Sequence, residues 1–156
     1  MKSYAWLATI GVIAACGGRP PVQIDPNARP ATPRWNAMLQ TPANLTGVAQ
    51  VRGAGWMAAS ARDSSRTEAH VDISNAAPGG QHPWHVHRGS CGNDTGIVGD
   101  STAYQALDVG SDGKASSTAI LKLPAPASGD YFVDVHAAAN NMSTIVACGN
   151  LAPPAR

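Results

Sequence analysis

Beyond residue 33 the chain runs in short β-prone stretches that Gly, Asn, Asp and Ser interrupt before any of them grows long. Strands are expected near Thr46–Arg52, Gly55–Arg62, Arg66–Ser74, His82–Arg88, Tyr104–Val109, Ala115–Leu123, Gly129–His136 and Thr144–Leu151. Turn signals separate them at Gly53-Ala54-Gly55, Asp63-Ser64-Ser65, Pro78-Gly79-Gly80, Ser111-Asp112-Gly113 and Ser128-Gly129-Asp130. No stretch carries a helical stripe. About eight strands at this spacing predict an all-β domain, a Greek-key β-sandwich or barrel.

Two of these stretches place chemistry on one face. Alternate residues of a strand share a side, so in His82-Pro83-Trp84-His85-Val86-His87 the apolar Trp84 and Val86 point to the core and His85 and His87 point away. In Tyr131-Phe132-Val133-Asp134-Val135-His136 the same parity sends Val133 and Val135 inward and puts Asp134 and His136 on the opposite face. Three imidazoles meet outside the barrel if the two strands are neighbours. Parity alone leaves two readings open, a metal site and surface histidines without a role. Imidazole donors suit Zn, Cu, Fe or Ni and do not choose among them.

The first 33 residues follow a different rule. Met1-Lys2 is a short positive start, Trp6 to Ala15 is an apolar run too short to span a bilayer, and Ile13-Ala14-Ala15-Cys16 places small residues just before a cysteine. This resembles a bacterial lipoprotein signal, which implies removal of residues 1–15 and acylation of Cys16; a secretory signal with a chance cysteine is the other reading. Gly17 rather than Asp after the cysteine implies an anchor in the outer membrane, facing the periplasm. Residues 16–33 hold five prolines and no periodicity, an extended tether for the domain at 34–156. With Cys16 assigned to lipid, Cys91 and Cys148 remain as the one possible intramolecular pair in an oxidising compartment.

Charge narrows the function. Only 13% of residues are charged and the formal net charge is +1, with no basic stripe, so no nucleic-acid partner is expected. Loss of Lys2 with the leader makes the mature chain neutral, which weakens long-range steering of an anion. No Ser-His-Asp elbow, phosphate-cradling loop or paired-carboxylate signature points to a hydrolase or nucleotide enzyme.

Gly79 to Gly92, GGQHPWHVHRGSCG, resembles the copper-binding strand of the copper–zinc superoxide dismutase family, with its HGFHVH core and following cysteine. Val135-His136 followed by Ala147-Cys148-Gly149 looks like that family's last histidine and its ACG end, and Asp108 to Gly113 like the turn after its metal loop. The resemblance spans about Leu45 to Leu151. It implies a Greek-key barrel, a Cys91–Cys148 disulfide, one copper ion on His85, His87 and His136 as metal and catalytic residues, and His82 as a packing histidine. The departures are specific. Between Cys91 and Tyr104 there is no histidine, so the bridging ligand and the zinc ligands are missing and zinc is not expected. Ile145 stands where the family keeps an arginine, and eleven residues separate His136 from Cys148, too few for the family's long electrostatic loop.

These features imply a copper-binding, superoxide dismutase-like lipoprotein whose partners are superoxide or the copper ion itself and the lipid anchor. Arg88 is a candidate for the lost positive charge, and Asp94, Asp100 or His70 for a fourth ligand; lone His70 also reads as structural. The alternatives are a non-catalytic copper buffer of the same fold, and a structural domain, because Trp35-Asn36-Ala37-Met38-Leu39 and the later His-Val-His-Arg-Gly also resemble the chordin-type repeat.

Overall fold

A computed structural model describes residues 32–155 with the exception of Val48. The expected leader, Cys16 and most of the tether lie outside the described residues. Ten strands follow in order: β1 (Arg34–Gln40), β2 (Arg52–Ala59), β3 (Thr67–Ser74), β4 (Gln81–His82), β5 (Trp84–Ser90), β6 (Asn93–Ile97), β7 (Leu107–Asp108), β8 (Ala115–Leu121), β9 (Tyr131–Ala138) and β10 (Asn141–Asn150). One 3-10 turn, Ser101–Ala103, is the only helical element among the described residues. Eight strands form one curled antiparallel sheet in the order β6-β5-β9-β10-β1-β2-β3-β8, and β4 pairs with β7. Strands β1, β2 and β3 are hairpin neighbours, and the last strand, β10, returns to lie beside β1. The all-β expectation stands.

Alternation drives the curl. In β1 the residues Trp35, Ala37 and Leu39 are buried while Arg34, Asn36, Met38 and Gln40 face solvent. In β3 Thr67, Ala69, Val71 and Ile73 do the same. Trp84, Val86, Val133 and Val135 line the facing half of one continuous core, and each such fully buried apolar side chain stabilises the fold by about 1.5–3 kcal/mol. The large rings keep their polar ends satisfied: Trp84 Nε1–H donates to the Gln105 carbonyl at 2.8 Å, and Trp35 Nε1–H to Pro126 at 3.1 Å. Tyr104 meets Trp84 edge to face at 5.0 Å.

Several boundaries differ from expectation, each for a local reason. Of the expected strand Thr46–Arg52, only Arg52 is in a strand among the described residues; the pairing begins there and runs through Gly53-Ala54-Gly55, which is strand interior and not a turn. A Cβ on Gly53 would collide with the Asp72 carbonyl of β3, so glycine serves close strand approach there. The segment His82–Arg88 is split by Pro83, which has no N–H for the ladder. Tyr104–Val109 contributes only Leu107–Asp108 to a strand. Two further strands, β1 and the polar β6, lie where none was expected.

Candidate metal centre

The site is a product of register. Strands β5 and β9 are antiparallel neighbours with His85 opposite Asp134 and His87 opposite Phe132, so the outward rows of both strands interleave on one face. Inward, Trp84 sits opposite Val135 and Val86 opposite Val133, which locks the parity because a slip of one residue would bury the histidines in the core. Strand β10 extends the same rows, with Cys148 opposite Asp134 and Ile145 opposite His136.

His85, His87, Asp134 and His136 converge, each offering a ligand atom, and these atoms all lie within 4.8 Å of one another. Asp134 Oδ1 is 3.3 Å from His87 Nε2 and 3.3 Å from His136 Nε2, and His85 Nδ1 is 3.4 Å from His136 Nε2. The four residues are only 2–8% exposed. Phe132 stacks on the His87 ring at 5.2 Å, and Tyr104 meets His85 edge-on at 5.2 Å.

Partners outside the cluster fix which nitrogens face inward. His136 Nδ1–H donates to the Met142 carbonyl at 2.6 Å, which leaves Nε2 for the centre. His87 Nδ1–H donates to Asp94 Oδ1 at 2.8 Å, again freeing Nε2. Asp94 is itself held by the Gly96 N–H at 2.7 Å. A carboxylate behind a ligating imidazole orients the ring and raises its basicity. His82 Nδ1–H donates to the His136 carbonyl at 2.9 Å, and the His136 N–H donates to Pro83 O at 2.8 Å, so the β4–β5 break pins the end of β9.

Proton affinities follow from this packing. Burial, reinforced by the neighbouring imidazoles, pulls His85 down to about 4 against the opposing pull of Asp134. Burial also acts downward on His87, but Asp134 and Asp94 together outweigh it and its pKa is raised. Burial alone would raise Asp134; the facing His136 and His87 rings override it and hold the carboxyl at about 2. The Gly96 N–H, with His87, lowers Asp94.

These residues fit a metal cation. The buried His87 Nε2 and Asp134 Oδ1 have no hydrogen-bond partner, and an orphaned buried polar atom costs about 1–3 kcal/mol. A cation would satisfy both at once. A tetrahedral ion with ligand bonds of about 2.0–2.1 Å needs donor separations of about 3.3–3.4 Å; three of the six donor pairs have that spacing and the others stay within 4.8 Å. Three imidazoles and a carboxylate suit first-row divalent ions. Four buried protein donors make a closed set, the arrangement that holds an ion tightly and keeps no position open for substrate.

His85, His87 and His136 therefore come together, and Cys91 and Cys148 form a disulfide with Cα atoms 6.0 Å apart. The other candidates are engaged elsewhere. Arg88 is exposed and donates from Nη1 to the Ile97 carbonyl at 3.1 Å. Asp100 caps the 3-10 turn, accepting from the Thr102 N–H and hydroxyl. His70 stacks on Trp56 and contacts Thr118 and Asp72 on the sheet face of β2, β3 and β8. Asp94 stands behind His87 and not among the inward donors. The fourth donor is Asp134, which sequence reasoning placed on the right face but passed over; its D-x-H parity with His136 was the available signal. No protein-family model matches the chain, and no curated protein matches it.

Proposed function

We propose that this chain is a copper-binding protein of the bacterial cell envelope, carrying one copper ion on a superoxide dismutase-like barrel through His85, His87 and His136 with Asp134 beside them. The observation that carries this reading is the buried four-donor cluster with two orphaned ligand atoms. The resemblance of the HPWHVH and ACG segments selects copper among the ions that such donors accept. The leader, Cys16 and the proline-rich tether support an anchored, exported protein, and the Cys91–Cys148 disulfide suits an oxidising compartment.

Holding the ion is favoured over turnover. The donor set is closed, Ile145 and not an arginine lies opposite His136, and no histidine occurs between Cys91 and Tyr104 to bridge a second ion. Dismutation of superoxide is the second reading, favoured by the match of all three histidines to the family's copper strands. When bound, copper supplies one-electron exchange between two valences. The protein orients the imidazoles and excludes water around them.

Superoxide consumption by the copper-loaded full chain, measured against the same concentration of free copper, separates the two. No excess rate with copper stoichiometrically bound supports the holding role. A rate well above free copper makes the chain a pared-down dismutase, and a chain that binds no copper refutes both.

A further inference from the structure

We propose that Asp134 biases the valence this site accepts, strengthening its hold on divalent ions, Cu(II) among them, relative to Cu(I); the proposal rests on the copper-binding reading above. Asp134 is nearly fully buried in the middle of β9, with His85 opposite it on β5 and Cys148 opposite it on β10. Its Oδ1 has no hydrogen-bond partner and stands 3.3 Å from the Nε2 atoms of both His87 and His136. No arginine or lysine pairs with it among the described contacts.

The bias is electrostatic and arises from a difference in charge between the two valences. Three neutral imidazoles leave a buried centre with the full charge of its ion. The cost of burying charge rises with the square of that charge, so a carboxylate that subtracts one unit relieves a doubly charged centre more than a singly charged one. Donor type points the same way. A hard carboxylate oxygen adds little for soft Cu(I), whereas it suits Cu(II) and Zn(II). Imidazoles alone would leave the two copper valences closer in affinity.

Anaerobic competition titrations of the full chain with Cu(I), and aerobic ones with Cu(II) and Zn(II), test this on wild type and Asp134→Asn. The Asn variant is expected to lose affinity for Cu(II) and Zn(II) together, by at least about a hundredfold, as befits removal of one partner from a buried charge pair. Cu(I) affinity falls far less, so the Cu(II)/Cu(I) affinity ratio drops at least about tenfold, and the midpoint potential rises by about 59 mV for each factor of ten. Equal losses for both valences would overturn the proposal and leave Asp134 as an undiscriminating ligand. Wild type that binds copper with a Cu(II)/Cu(I) affinity ratio no higher than that of the Asn variant would also overturn it, without touching the copper-binding reading. Wild type that takes up none of the three ions removes that reading and this proposal with it. Circular dichroism and the intact Cys91–Cys148 bridge check the fold; if the Asn variant does not fold, Asp134→Ser takes its place.

Discussion

Asp94→Asn isolates what lies behind a candidate ligand. The Asp94 carboxylate accepts the His87 Nδ1–H at 2.8 Å and the Gly96 N–H at 2.7 Å through the same oxygen. An asparagine oxygen can accept both, so the exchange removes charge and spares geometry. Partners behind a ligating histidine typically account for 10–100-fold in metal affinity. The Asp94 side chain is 52% exposed, so solvent screens its charge and the lower end applies: about tenfold, or about 1.4 kcal/mol. The assay is a competition titration of the full chain against a chromogenic copper chelator at fixed pH, repeated at low and high salt. The gap between wild type and variant should narrow with salt, because an exposed carboxylate is screened over about 10 Å at 0.1 M. Unchanged affinity at low salt would refute the supporting role. A loss as large as that of His87→Ala would refute it from the other side, by making Asp94 a ligand.

Three further outcomes follow from the same structure. Replacing Cys91 and Cys148 together by Ser should cost about 4 kcal/mol in urea unfolding, from the closed span of 57 residues; a loss below about 1 kcal/mol would contradict the loop-closure argument. Because the folded His85 refuses its proton until about pH 4 while the unfolded residue accepts one near 6.5, the metal-free fold should lose stability as pH falls through that window. His85→Gln should flatten the slope there by up to about 1.4 kcal/mol per pH unit, and an unchanged slope would sink the assignment. Gly149→Ala should destabilise by roughly 1–3 kcal/mol, since its Cβ would run into the Met38 carbonyl of β1; an unaffected thermal midpoint would contradict the β1–β10 register.

The centre was legible because parity is a strict rule. Trp84 and Val86 could only face the core, and that sent His85 and His87 to one side; Val133 and Val135 did the same for His136. Neighbourhood of the two strands was not legible from spacing, since β5 and β9 pair across more than forty residues of chain. Asp134 was overlooked because a carboxylate within an apolar strand reads as a solvent-facing position, and only the register with His85 shows it to be buried. The glycines of β2 read as a turn because sequence does not distinguish glycine used for a positive φ from glycine used for close approach. Strand β1 has a clean alternation of Trp35, Ala37 and Leu39 with polar neighbours, but the proline-rich stretch before it masked its start. Strand β6, Asn93–Ile97, has no apolar alternation to detect; its hairpin with β5 and the Cys91 bridge hold it in place.

The most direct measurement is the copper content per chain of the purified full-length protein beside that of the His85→Ala/His87→Ala double variant, after equilibration with excess Cu(II) and removal of unbound ion. One copper is expected in the wild type and none in the variant, with the disulfide and far-ultraviolet spectrum unchanged. Stoichiometric copper in the double variant, or none in the wild type, would contradict it.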